Sequence, residues 1–254
     1  HDAIFASLVE LGCSWGQTLD RRGVEFGGAL YGRTSDPRHH ELVQDILLEL
    51  HENGFLIQET MEQFCSVADD GGIKFLPDRY VQGVCPACSA EGARGDQCDA
   101  CGATYEANEL KDPVSKLNPE IPVEIRETDH LFFRLDLLQD DLETHAASRR
   151  STWKPNVRAM TQNWLNMGLR PRAVTRDIEW GVKIPLDDEV WGEKRVYVWF
   201  DAVQGYLTCA RIWSERIAEE SGSESDIWRR WWMDGGNLRH IYFMGKDNIP
   251  FHTI

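Results

Sequence analysis

Between Asp36 and Gly54 the apolar residues Leu42, Val43, Ile46, Leu47 and Leu50 recur at the spacing of one helix face. Asp36 offers an N-cap acceptor, Pro37 suits the first helical position and Asn53-Gly54 provides the stop, so a helix is predicted between these signals. A weaker helical pattern runs around Ile4, Leu8, Val9 and Leu11, before Gly-rich text from Gly23 to Gly32. A further helix is predicted within 151–170, with Pro155 near its start, Val157, Met160, Trp164 and Leu165 on one face, and Gly168 at its stop. From Phe64 to about Val123 the pattern breaks into Gly, Pro, Cys and Asp with short β-type runs such as Ile73-Lys74-Phe75-Leu76, which suits a small insert with little core of its own. Arg195–Phe200 and Arg239–Met244 read as buried strands on either side of an amphipathic helix from about Tyr206 to Glu220. Strand, helix, strand predicts a parallel sheet, hence an α/β domain in two parts, 1–64 and 151–254, flanking an insertion over 65–150.

Composition adds constraints. With 254 residues, 42% hydrophobic and 27% charged, the chain is an ordinary globular sequence. Its longest apolar runs, such as Val196–Phe200 and Ile241–Met244, fall far below the ~20 residues that span a bilayer, so no membrane partner is expected. The start His1-Asp2-Ala3-Ile4-Phe5 has no basic segment or cleavage site of a secretory leader and lacks Met, which suggests a cytoplasmic protein and an internal fragment. A net charge of −15 argues against an extended nucleic-acid footprint and confines any such contact to a local patch.

Four of the seven cysteines form Cys85-Pro86-Ala87-Cys88 and Cys98-Asp99-Ala100-Cys101-Gly102. Two CxxC turns this close can present four thiolates tetrahedrally to one Zn²⁺ at about 2.3 Å each. Gly102 suits the positive φ that follows a knuckle turn. Four protein ligands leave no open position, so a closed structural site is predicted. Two redox pairs or an iron–sulfur centre are the alternatives that the same residues allow. His39, His40, His145 and His240 have no ligand spacing and are read as solvated or packed. Trp228, Trp231 and Trp232 are read as core packing, with base stacking as the other use of such a run.

Phe75-Leu76-Pro77-Asp78-Arg79-Tyr80-Val81 leads directly into this knuckle, which continues through Ala93-Arg94-Gly95-Asp96-Gln97-Cys98. His130-Leu131-Phe132-Phe133, Thr175-Arg176-Asp177 with Trp180-Gly181, Tyr197–Ala202, and Gly245-Lys246-Asp247-Asn248-Ile249 with Phe251-His252 follow in order. Over about 38–254 the sequence resembles the catalytic region of methionyl-tRNA synthetases. The resemblance implies a Rossmann-like parallel sheet whose first part (1–64) and second part (151–254), both incomplete, are interrupted by a zinc-knuckle connective insertion (65–150). Neither the HIGH-type nor the KMSKS-type motif of class I synthetases occurs in this chain, so activity alone is not expected of it. Val203, where many relatives have Pro, and Asn248, where an aliphatic residue is common, depart from the family beside the expected pocket.

The implied reaction joins methionine to ATP as methionyl-adenylate and passes the acyl group to tRNA(Met), with ATP and Mg²⁺ as the nucleotide substrate and structural Zn²⁺ in the knuckle. Catalysis of this kind depends on positioning and on charge stabilisation at the phosphates. Trp199, Ala202, Tyr206, Asp247, Asn248 and His252 are the candidate methionine-binding residues: aromatic rings suit a thioether, Asp247 an ammonium or ribose hydroxyl, and His252 with Tyr206 a polar contact near sulfur. Arg176 is the candidate phosphate contact, with Gly245 and Lys246 beside it in the ATP-binding set, and Arg176 and Asp247 are the candidate catalytic residues. A structural Arg176–Asp177 ion pair is the plainer reading of that dipeptide. The competing function is a non-catalytic zinc-ribbon module that binds RNA or protein, which would need only the stretch around 75–110.

Overall fold

The fold is that of a computed structural model, which describes residues 2–12, 18–19, 25–26, 32–67, 72–77, 80–95, 98–103, 105, 107–222, 224–233 and 238–254. The order of elements is α1 (Asp2–Glu10), β1 (Thr18–Leu19), β2 (Glu25–Phe26), α2 (Pro37–Glu52), β3 (Leu56–Val67), β4 (Ile73–Phe75), β5 (Val81–Val84), β6 (Ala93–Arg94) and β7 (Lys111–Ser115). It continues with β8 (Val123–Phe133), α3 (Gln139–Ser148), α4 (Pro155–Met167), β9 (Arg172–Ala173), β10 (Thr175–Arg176), α5 (Asp188–Trp191) and β11 (Arg195–Val196). The last elements are α6 (Val198–Ala202), α7 (Gly205–Ser221), α8 (Arg229–Trp232) and α9 (Pro250–Thr253). The contacts divide this chain into two compact units: His1–Ile46 with Asp141–Met167 and Val198–Ile254, and Leu47–Asp140 with Gly168–Tyr197.

The predicted helices form where their punctuation places them. At the start of α2, Asp36 Oδ1 accepts the Arg38 N–H at 2.9 Å, and Pro37 occupies the first turn. The helix ends where Gly54 takes φ 75 and the Phe55 N–H bonds back to the Leu50 carbonyl at 2.9 Å. Gly168, with φ 77, stops α4 in the same way. In the first unit, His39 Nδ1 and Thr208 Oγ1 meet at 2.8 Å between α2 and α7, and the Thr161 hydroxyl donates to Thr253 Oγ1 at 2.9 Å between α4 and α9. Trp228 is buried and its backbone N–H bonds Ser214 Oγ at 3.2 Å, which makes it part of the packing, whereas Trp231 and Trp232 are only half-buried.

The second unit is built on a long antiparallel ribbon. β3 and β8 pair from Leu56↔Phe133 to Ser66↔Val123, with β4 and β9 on their outer edges. A three-stranded sheet, β6-β5-β7, carries the knuckle. Its core is small: Phe64, Leu76, Val81, Cys85, Ala93, Cys98 and Leu110, with Tyr105 and Val123 packed against it. A fully buried Leu or Phe contributes about 1.5–3 kcal/mol, so a core of this size gains from a further cross-link. Gly83 is required in β5 because any Cβ there would collide with the Lys111 carbonyl of β7.

The parallel sheet is not seen: every strand pairing among the described residues is antiparallel. The strand predicted at Arg195–Phe200 lasts two residues, Arg195–Val196, before the chain turns into α6. Residues 239–244 form no regular element, and Ile241 and Phe243 are exposed, Phe243 to 96%. A buried strand needs hydrogen-bonded neighbours on both edges, and among the described residues none pairs with this segment. The observed architecture is therefore mixed α/β with antiparallel sheets.

Candidate functional site

The knuckle consists of two matching turns. Ser89 N–H bonds the Cys85 carbonyl at 3.0 Å and Cys85 N–H the Ala90 carbonyl at 2.9 Å; Gly102 N–H bonds the Cys98 carbonyl at 2.8 Å and Cys98 N–H the Ala103 carbonyl at 2.9 Å. Ser89 and Gly102, each four residues past the first cysteine of its turn, have φ 59 and 75. The turns bring four Sγ atoms within 4.8 Å of one another, with Cys85–Cys101 at 3.8 Å and Cys88–Cys98 at 3.7 Å. Four sulfurs about 2.3 Å from a common centre would lie roughly 3.8 Å apart, so the group can hold one tetrahedral metal ion. Against the cost of burial, the Cys88 and Ala87 N–H groups hold the Cys85 thiol down at about 7. Although the Ala90 N–H favours its thiolate, crowding by Cys101, Cys85 and Cys98 pushes Cys88 up to about 12. Full ionisation of such a cluster needs a cation among the sulfurs. Tyr105 braces the second turn by donating to the Arg94 carbonyl at 2.6 Å, while Arg94 pairs with Asp99 at 2.8 Å.

A separate aromatic pocket lies in the first unit. Val203, Gln204, Tyr206, Leu207, Trp232, Tyr242, Phe251 and His252 line a cavity of about 250 Å³. α6, α7 and α9 position its walls: Trp199 stacks on Phe251 at 5.1 Å and 17°, and Tyr206 meets Tyr242 and His252 edge to face at 5.2 and 5.6 Å. His252 Nδ1 is 2.8 Å from the Asn248 carbonyl, which can only accept, so Nδ1 carries the proton. The neutral ring then accepts the Tyr206 hydroxyl at Nε2, at 2.9 Å. This is an open apolar slot with a polar edge, suited to a small, largely apolar side chain containing one polarisable atom. Asp201, in α6, is 5% exposed with Oδ1 unpartnered, and burial raises its carboxyl to about 7.

Arg176 belongs to the second unit. Its guanidinium lies 4.1 Å over the Tyr197 ring and donates to the Thr175 carbonyl at 2.8 Å. Its neighbour Asp177 is paired with Lys194 Nζ at 2.5 Å and His130 Nε2 at 3.2 Å, rather than in the alternative Arg176–Asp177 pair. Burial works against the Asp177 carboxylate, yet His130 and Lys194 hold its pKa below the ordinary value; burial lowers that of His130, which is 0% exposed.

The sequence family described as tRNA synthetases class I (M) matches residues 15–254. The chain belongs to this family. Among curated relatives, it is 45% identical over 239 residues to the methionine–tRNA ligase of Thermoplasma acidophilum, covering 94% of the chain and 41% of that protein. It is 46% identical over 243 residues to the methionine–tRNA ligase of Roseiflexus sp., covering 94% and 39%. The chain thus spans about two fifths of these relatives. Its fold resembles that of a Mycobacterium tuberculosis methionyl-tRNA synthetase bound by methionyl-adenylate, with a TM-score of 0.54 and 23% identity over 88% of this chain and 36% of that one. The apo form of the mycobacterial enzyme aligns with a TM-score of 0.58 and 22% identity, over 99% and 39%.

Tyr206 and His252 line one pocket, with Trp199 stacked on the Phe251 of its wall, Asn248 holding the His252 ring and Ala202 on α6. Gly245 and Lys246 are exposed at a 3-10 turn, Lys246–Asn248; the Asp247 side chain lies outside the described residues. The sequence reading missed Gln204, Leu207, Trp232 and Tyr242 as pocket walls, and the partners of Asp177. Trp232 had a signal in the tryptophan run, whereas the approach of His130, Lys194 and Asp177 left none in local spacing.

Proposed function

We propose that this chain is the part of a methionine–tRNA ligase that carries the methionine pocket and a zinc-stapled connective insertion. The observation that carries the reading is the slot lined by Tyr206, Phe251 and His252, with Trp199 stacked on Phe251, whose aromatic walls and hydroxyl-bearing edge suit a thioether. A purely apolar pocket separates side chains differing by one methylene by only about 1–3 kcal/mol, so the group that distinguishes methionine from norleucine is the Tyr206 hydroxyl, whose one proton turns from His252 Nε2 to the sulfur on binding. The sequence kinship to methionine–tRNA ligases supports the same substrate.

Trp199, Ala202, Tyr206 and His252 bind the methionine side chain; Asn248 fixes the His252 ring; Asp247 receives the ammonium or a ribose hydroxyl. Arg176 meets the phosphates of ATP–Mg²⁺, where guanidinium charge stabilises the pentacoordinate α-phosphate; Gly245 and Lys246 remain candidate nucleotide contacts of their own unit. The methionine carboxylate attacks that phosphorus, pyrophosphate leaves, and the terminal hydroxyl of tRNA(Met) then displaces AMP. Cys85, Cys88, Cys98 and Cys101 hold Zn²⁺, which supplies a structural cross-link. The parts 1–64 and 151–254 of a Rossmann-like domain around the insertion 65–150, and a cytoplasmic setting, belong to the same reading; no helix among the described residues is long and apolar enough to cross a membrane.

The test is amino-acid-dependent ATP–pyrophosphate exchange by the full-length protein. Exchange driven by methionine and little by norleucine or leucine is expected; exchange driven by another amino acid, or none from folded protein, overturns the reading.

A further inference from the structure

Arg176 stands on β10, a strand of two residues, too short to fix a guanidinium through its own ladder. The guanidinium itself rests on the Tyr197 ring and the Thr175 carbonyl, and the backbone that carries it is fixed by its neighbours in sequence. β10 pairs with β11 through Thr175↔Val196 and Arg176↔Arg195, and continuing this register places Asp177 opposite Lys194, whose Nζ lies 2.5 Å from Asp177 Oδ1. Lys194 also donates to Thr128 Oγ1 at 2.7 Å, and the Thr128 hydroxyl donates to Asp177 Oδ2 at 2.9 Å.

On the other side of Arg176, Thr175 Oγ1 accepts the Leu131 N–H at 3.0 Å and meets His130 Nδ1 at 2.9 Å. His130 Nε2 faces Gln63 Oε1 at 3.1 Å and Asp177 Oδ2 at 3.2 Å. A neutral ring with its proton on Nε2 satisfies every one of these contacts: Nε2–H points to the Gln63 and Asp177 oxygens, and Nδ1 accepts the Thr175 hydroxyl. The residues before and after Arg176 are thus both bolted to one face of the β3–β8 ribbon. Asp177 and Lys194 are 13% and 10% exposed in their side chains, so solvent screens this clamp little.

A clamp of this kind is more than the fold requires, because buried ion pairs add little stability over apolar replacements of the same shape; what they do supply is a defined geometry. We infer that Lys194, His130 and Asp177 are positioning residues for Arg176: through the paired cross-strand contact and the Thr175 hydroxyl they hold the β10 backbone so that the guanidinium meets the nucleotide phosphates in one orientation. The inference rests on the reading of Arg176 as a phosphate contact.

The experiment is a double-mutant cycle in the full-length, metal-loaded protein, following methionine-dependent ATP–pyrophosphate exchange for Arg176→Ala, Lys194→Met, the pair, and Lys194→Arg. The milder Thr128→Val is included in case Lys194→Met does not fold. Expected are a loss of about tenfold or more in kcat/KM for ATP in Lys194→Met, and a smaller loss of the same kind in Thr128→Val. KM for methionine should stay within about twofold, Lys194→Arg should recover part of the loss, and the pair should be no worse than Arg176→Ala alone. If Arg176→Ala impairs exchange while folded Lys194→Met and Thr128→Val match wild type, raise KM for methionine well beyond twofold, or add fully to Arg176→Ala, the positioning role is overturned and the phosphate reading stands. If Arg176→Ala itself leaves exchange intact, the phosphate reading fails first.

Discussion

The Tyr206 hydroxyl donates to His252 Nε2 at 2.9 Å across 46 residues of sequence, and the Asn248 carbonyl, 2.8 Å from Nδ1, fixes which nitrogen accepts. The bond gives an otherwise aromatic slot one oriented polar edge. Tyr206→Phe removes the hydroxyl and leaves the ring. Because the hydroxyl turns its one proton from His252 Nε2 to the sulfur when methionine binds, methionine affinity should fall by at most about 1 kcal/mol, up to about fivefold, with norleucine almost unchanged, as measured by competition binding.

The four-cysteine cluster should bind one Zn²⁺ per chain. Cys98→Ser removes a buried thiolate from a closed set of four, and elemental analysis should show zinc lost or exchanging rapidly. Because the apolar core around Phe64, Leu76 and Val81 is small, chelation should also abolish cooperative unfolding of this unit, a structural zinc site contributing on the order of 10 kcal/mol. Retention of a sharp transition after complete zinc removal would show that the core suffices alone.

Stability should decline on mild acidification. His130 is buried and neutral with its pKa below 6.5, so the unfolded chain takes up a proton first as pH falls below that value. Its contribution is fully present above pH 6.5 and is lost as pH drops towards the folded value, with a slope of at most ~1.4 kcal/mol per pH unit. Asp177, also held below its ordinary 3.8, extends the loss to lower pH. His130→Gln should flatten the profile of Tm between pH 7 and 5.

Asp201 should act in the opposite direction. Burial raises its carboxyl to about 7, so its folded form resists ionisation and stability is lost as pH rises from 3.8 through 7. Asp201→Asn removes that titration. Its Tm should exceed that of the parent by a few degrees at pH 8 and match it near pH 4, readable by differential scanning calorimetry.

The features legible in the sequence are those with local causes. Asp36, Pro37 and Gly54 bracket α2, Gly168 closes α4, and the two CxxC turns place four sulfurs around one point without help from distant residues. The β3–β8 ribbon was not legible, because its register joins Leu56 to Phe133 and no local period records that partnership. The same is true of His130, Asp177 and Lys194, each unremarkable in its own stretch. Arg239–Met244 shows the converse: its apolar run satisfies the strand pattern, but a pattern supplies no hydrogen-bonded neighbour, and the segment forms no strand.

The central claim, that the Trp199–Phe251–Tyr206–His252 slot recognises methionine, is tested most directly by isothermal titration of the zinc-loaded chain with L-methionine, norleucine and leucine, with Trp199→Ala as control. The account predicts that methionine binds in preference to both analogues and that Trp199→Ala abolishes the preference. Equal binding of leucine, or no binding of methionine by a well-folded chain, would contradict it.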